Sequence, residues 1–170
     1  VAIHEQARFG NLERSIRKYL QDSIEGAGPI PASFPAAQIQ WPGKAFDPDK
    51  YPYFLRPTLV DSEGVHFPRV TSAAGGFVKL VVLFLDLFIK HDYPRTRNNL
   101  SVLSDTLDVL KALFLGSTGI TVKNYQGDGL TTLGKLWVRG RRPNQPKVDS
   151  SWLAGGWMIQ LEWVEPDAAA

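Results

Sequence analysis

The sequence contains no cysteine. Disulfides, thiolate nucleophiles and zinc sites with cysteine ligands are therefore excluded. Histidine is scarce: His4, His66 and His91 are the only three. None of them has a second histidine or a carboxylate at the spacing that sets two metal ligands on one helix face. The serine-hydrolase elbow G-x-S-x-G is missing, and Leu115-Gly116-Ser117-Thr118-Gly119 reads as a helix end. Neither charge is in strong excess, since 19 basic and 17 acidic residues leave a net +2. So balanced a chain carries no electrostatic signature of a nucleic-acid or membrane-surface partner. The longest apolar run, Phe77 to Ile89, is too short for a bilayer and contains Lys79 and Asp86. Val1 to Gly10 is polar and amphipathic and does not read as a secretory leader. Asn99-Leu100-Ser101 then reads as a chance match to the glycosylation sequon. No local constellation for catalysis is visible, and the chain is expected to be a non-enzyme without cofactor or metal.

What is present fits one soluble domain over residues 1–170, with 44% hydrophobic and 21% charged residues. A chain of this size buries enough surface to fold without staples. Leu12, Ile16, Tyr19, Leu20 and Ile24 recur at helical spacing, with Arg14, Arg17, Lys18 and Gln21 on the other face and Gly26 placed to end the helix. Between Gly28 and Tyr53, Pro29, Pro31, Pro35, Pro42, Pro48 and Pro52 forbid a long helix, leaving a short strand at Ile39 to Trp41. Tyr53 to Val60 predicts a strand, and Pro57 inside it demands a sheet edge or a bulge.

Asp61 to Gly76 reads as a long polar connection carrying Val65, Phe67 and Val70. A loop of that length is functional or ordered by a partner. Phe77 to Lys90 predicts a central strand covered on both sides, because both alternating faces are mostly apolar. A buried helix is the competing reading, and Gly75-Gly76 with the β-branched residues favours the strand. Asp86 then needs a place near the strand's end or a basic partner. After a polar turn at His91 to Asn99, Leu100, Leu103, Leu107, Leu110 and Phe114 mark a second amphipathic helix, with Asn98 or Asn99 to cap it and Gly116 to end it. Ile120 to Tyr125 and Leu130 to Arg139 form a hairpin through Gln126-Gly127-Asp128-Gly129. Gly140 to Ser150 reads as a second long, basic loop. The last strand, Gly156 to Val164, sets Trp157, Ile159, Leu161 and Trp163 on one face, and Asp167 to Ala170 reads as a frayed tail. The fold class is thus α/β (α+β): a mixed, mainly antiparallel sheet with two flanking amphipathic helices and long loops.

Gly129 to Lys135 has the outline of a phosphate-binding loop, but Leu136 stands where Ser or Thr must hold magnesium, and a strand follows in place of a helix. Arg139, Arg141, Arg142 and Lys147 form a basic cluster, with a smaller one at Arg95 and Arg97. Such clusters are solvated loops, or contacts to an acidic partner or to DNA phosphate. Trp157 and Trp163 belong to the core face, whereas Trp41 and Trp152 lie beside loops as candidate interface anchors.

One resemblance runs from the first helix to the last strand. Gln40-Trp41-Pro42-Gly43-Lys44-Ala45-Phe46-Asp47-Pro48, the strand Tyr53-Phe54-Leu55-Arg56-Pro57, the long loop ending in glycine, the apolar strand, the leucine-rich helix and Gly156-Trp157-Met158-Ile159-Gln160-Leu161-Glu162-Trp163 carry it. The chain resembles the tail terminator proteins of long-tailed bacteriophages, the group that includes the lambda tail terminator. The resemblance implies a virion subunit assembled in the bacterial cytoplasm as a homohexameric ring. Such a ring caps the tail tube protein, stops its polymerisation and provides the joining surface for the head–tail connector. DNA passes through its channel without sequence-specific recognition, and no membrane is involved. Ring closure needs heterologous contacts. Val65, Phe67, Arg69, Val70, Arg139, Arg141, Arg142 and Trp152 are the expected interface residues. Another ring of the neck or tail is the alternative, as is a DNA-binding domain that uses the 139–147 segment.

Overall fold

The computed structural model describes residues 9–24, 38–61, 67–69, 76–91, 99–116, 118–148 and 151–164. Helix α1 is Phe9–Ile24 and helix α2 is Asn99–Ala112. The strands are β1 (Tyr53–Asp61), β2 (Phe67–Arg69), β3 (Gly76–Lys90), β4 (Gly119–Lys123), β5 (Thr132–Val148) and β6 (Trp152–Val164). They form one curled antiparallel sheet of six strands in the order β1-β3-β6-β5-β4, with β2 paired to the start of β3. The α+β class expected from the sequence is what the structure has, and its sheet is antiparallel throughout the named strands. Among the described residues the one parallel contact is an isolated bridge, Ile39 to Leu55.

Alternation explains which face is the core. In β3, Val81, Leu83, Leu85, Leu87 and Ile89 are buried, and in β6 Leu153, Trp157, Ile159, Leu161 and Trp163 join them. Both helices lie on this side. Helix α1 contributes Leu12, Ile16 and Leu20, and α2 contributes Val102, Leu103 and Leu110. Gly155 lets α2 approach β6, since a Cβ there would stand 3.2 Å from Leu103. The Trp157 indole N–H donates to the Leu107 carbonyl at 2.8 Å. Helix α1 is seated by polar groups as well: Asn11 Oδ1 accepts from Gln126 N at 2.9 Å, and Ser15 Oγ accepts from Lys123 N at 3.1 Å.

Several expectations need correction. The segment after Gly140 is no loop, because β5 continues to Val148 paired with β6, with a register shift between Asn144 and Lys147. β6 offers a ladder along its length, and pairing overrides the local signals of Gly140, Pro143 and Pro146. Pro143 is tolerated because β4 reaches only to Trp137, so the outer edge beyond it has no strand partner among the described residues. The 61–76 connection is also partly sheet, with β2 and the start of β3 inside it. Among the described residues the helices cover only one face of β3, and Val82, Phe84, Asp86 and Phe88 on the other are half-buried. Trp41 is no free anchor. It is 5% exposed, and Arg17 stacks over its ring at 4.8 Å. The amide of Gln40, donating to Leu55 O at 2.8 Å, pins that segment to β1. β1 does form a sheet edge, as Pro57 requires, and Asp86 meets a basic partner in mid-strand rather than lying at its end.

Candidate functional site

The face of the sheet opposite the helices is built from alternate residues of four adjacent strands. Antiparallel register brings Arg56 opposite Asp86, Phe84 opposite Met158, and Met158 opposite Arg142. At one end an aromatic cluster closes the surface. Phe54 stacks on Phe88 with centroids 4.7 Å apart, and Trp152 meets Phe54 edge-on at 5.2 Å. Lys90 Nζ lies 5.5 Å from the Trp152 ring and donates to Asp49 O at 2.7 Å.

In the middle, Arg56 stands 3.6 Å from Asp86 and over the Phe88 ring at 4.7 Å. Asn144 Nδ2 donates to the same carboxylate at 3.4 Å. These groups, with Phe84, Lys147 and Ala154, line a recess of about 520 Å³. Its polar groups are two cations, one amide and one carboxylate already engaged by Arg56, with no nucleophile set beside a base. At the other end Arg139 makes a two-pronged contact with Glu162, at 3.0 and 3.2 Å. Trp137 is 36% exposed beside it. Partly exposed pairs of this kind contribute at most about 1 kcal/mol each. Arg142 and Lys147 are exposed, and no carboxylate pairs with either among the described residues. Among the described residues the face thus has a positive rim, Arg142 and Lys147, beside half-buried Val82, Phe84 and Met158. Each Å² of apolar surface left in water there costs about 25 cal/mol.

The expected interface residues divide. Val65 and Val70 lie outside the described residues, as do Arg95, Arg97 and the tail after Val164. Phe67 and Arg69 are in β2, opposite Val78 and Gly76. Arg139, Arg142 and Trp152 all belong to the open face. Arg141 does not: its guanidinium donates to Lys111 O at 3.2 Å, at the C-terminal end of α2 on the helical side. Sequence reasoning missed Arg56, Phe84, Phe88 and Met158. The available signal was β3 itself, apolar on both alternating faces in a chain with two helical stripes. Among the described residues no group of three or more His, Cys, Asp or Glu side chains could hold a metal ion. No helix there is long and apolar enough to cross a membrane.

No family model matches the sequence, and no curated protein matches it. A solved protein chain that bears no functional name is similar in fold. The match covers 92% of this chain and 98% of that one, with a TM-score of 0.55 and 15% identity. At that identity the likeness speaks for the fold alone.

Proposed function

We propose that the chain is a structural subunit of a phage tail ring of the terminator type. The ring caps the tail tube, halts its polymerisation and presents the surface that joins the head–tail connector. The observation that carries this reading is the open sheet face, with apolar side chains and with Arg142 and Lys147 lacking an acidic partner among the described residues, opposite a helix-covered face. Its motif-level support is the resemblance to tail terminators. Two dissimilar faces suit heterologous contacts between copies, which a ring requires.

Two stretches of the sheet's edges, β1 and the second half of β5, are poor donors for strand addition. Pro57 stands in β1, and β5 carries Pro143 with register shifts between Val138 and Gly140 and between Asn144 and Lys147. Proline and bulges blunt an edge, which favours contacts between copies through faces. The competing DNA-binding reading loses two of its residues, since Arg139 is held by Glu162 and Arg141 is turned toward α2.

Static light scattering of the purified chain, alone and with isolated tail tubes, tests the proposal. It predicts an oligomer in solution or one formed on tube ends. A chain that stays monomeric and ignores tubes contradicts it.

A further inference from the structure

We infer that the recess on the open sheet face holds Glu165 and Asp167 of a neighbouring copy, the two carboxylates meeting Arg56, Arg142 and Lys147. The inference rests on the ring-subunit reading and concerns this recess rather than the face as a whole.

The recess exists because β6 carries little side chain at its floor. Ala154 and Gly155 stand there, between Phe84 and Phe88 of β3 on one side and Asn144 and Lys147 of β5 on the other. Gly155 is held small from the opposite face, where a Cβ would meet Leu103. The volume, about 520 Å³, lies within the range of about 300–1,000 Å³ of ligand-sized clefts. The charge is positive. Asp86 faces Arg56 and Lys147 in the recess, and Arg142, opposite Met158, adds a third cation on the same side. Arg56 approaches Asp86 at 3.6 Å and makes no hydrogen bond among the described residues, so its N–H groups can serve another acceptor. Arg142 and Lys147 have no acidic partner among the described residues.

Charge then selects the occupant. Residues 165–170 begin Glu165-Pro166-Asp167 and contain two carboxylates and no cation. Of the segments outside the described residues, this one has the largest acidic excess. The helices offer no such excess. Asp22 of α1 is paired with Lys18 at 2.6 Å, and α2 sets exposed Lys111 beside Asp108. Carboxylates two positions apart share one side of an extended chain, about 7 Å from each other. Proline at 166 narrows the backbone choices of Glu165, which lowers the entropy lost when the segment is held.

Reach selects the source. Val164 ends β6 opposite Val78, whereas Gly155 lies opposite Leu87. That stretch of β6 spans about 30 Å at about 3.3 Å per residue. Asp167 stands three residues beyond Val164 and extends at most about 11 Å from it. A chain therefore cannot place these carboxylates in its own recess, and a neighbour supplies them. Donor and recess lie toward opposite ends of β6, so the contact joins different patches and propagates head to tail until rotation closes it.

Two paired variants and their mixture test this by light scattering, in solution and on tube ends. The donor variant is Glu165→Lys with Asp167→Lys, and the recess variant is Arg142→Glu with Lys147→Glu. Arg142 and Lys147 are exposed, and circular dichroism checks that each variant keeps its fold. Each pair alone sets like charges together and is expected to weaken assembly at least about tenfold. An equimolar mixture of the two is expected to recover it, because alternating copies match every reversed donor with a reversed recess and every native donor with a native recess. Wild-type assembly that either pair leaves unchanged overturns the inference, and so does a loss that the mixture does not recover. In both cases the ring reading survives. A wild type that is monomeric with and without tubes overturns the ring reading and this contact with it.

Discussion

At the scale of single residues, Gly134 and Trp163 form a close fit between backbone and ring. The backbone at Gly134 has φ +150, and a Cβ there would stand 2.8 Å from the Trp163 ring. The same seat leaves Trp163 Nε1 buried with no acceptor among the described residues. Gly134→Ala is expected to lower unfolding free energy by about 2–4 kcal/mol, because strain and overpacking act together. Gly129 also has positive φ, +69, but nothing lies within 4 Å of its added Cβ. Gly129→Ala should cost only about 1–2 kcal/mol, the backbone penalty alone. Urea unfolding of both variants decides the point, and equal losses would contradict the packing account. The same scale shows what the sequence could not convey. Arg139, Arg141 and Arg142 are neighbours in the chain, and simple alternation would put Arg139 and Arg141 on one side. The register shift between Val138 and Gly140 breaks that parity, so Arg139 reaches Glu162 while Arg141 reaches α2. A bulge leaves no clear mark in a single sequence. Asp86, by contrast, was legible: a carboxylate inside an apolar strand needs a cation, and Arg56 is there.

At the scale of elements, both helices, the hairpin β4–β5 and the strands β1, β3 and β6 follow from periodicity. The second half of β5 does not, because glycine and proline signal a loop locally and only the ladder offered by β6 makes it a strand. Pro143 then has a role at the edge. Pro143→Val restores an N–H on that edge, and faster aggregation on storage is expected, followed by light scattering over days. An unchanged aggregation rate would mean that the edge is guarded otherwise. The docking of α1 turns on Ser15. Ser15→Ala leaves the Lys123 N–H without its acceptor and should cost about 1–3 kcal/mol in denaturant unfolding. The hairpin turn holds a pH-dependent contact. Asp128 accepts from the Thr131 hydroxyl and from the backbone N–H groups of Thr131 and Leu130, which lowers its pKa below the ordinary value of 3.8. A folded pKa below the unfolded one gives stability that is present above the unfolded pKa and lost as pH falls through the folded value. Wild-type thermal stability should therefore drop more steeply below about pH 4 than that of Asp128→Asn. Parallel profiles would remove this contribution.

At the scale of the whole molecule, the described residues form a sheet with both helices on one side. The layer count was readable in part, since two amphipathic stripes and several strands announce helices on a sheet. That both helices would share a side was not, because a stripe says how a helix is buried and nothing about which face receives it. The apolar second face of β3 is then the feature on which the proposed assembly rests, since among the described residues the helices cover only its other face. The most direct measurement is negative-stain electron microscopy of the purified protein at micromolar concentration. Closed rings of uniform diameter with a central channel are the expected result. A field of separate particles of single-chain size, unchanged on adding tail tubes, would contradict the account.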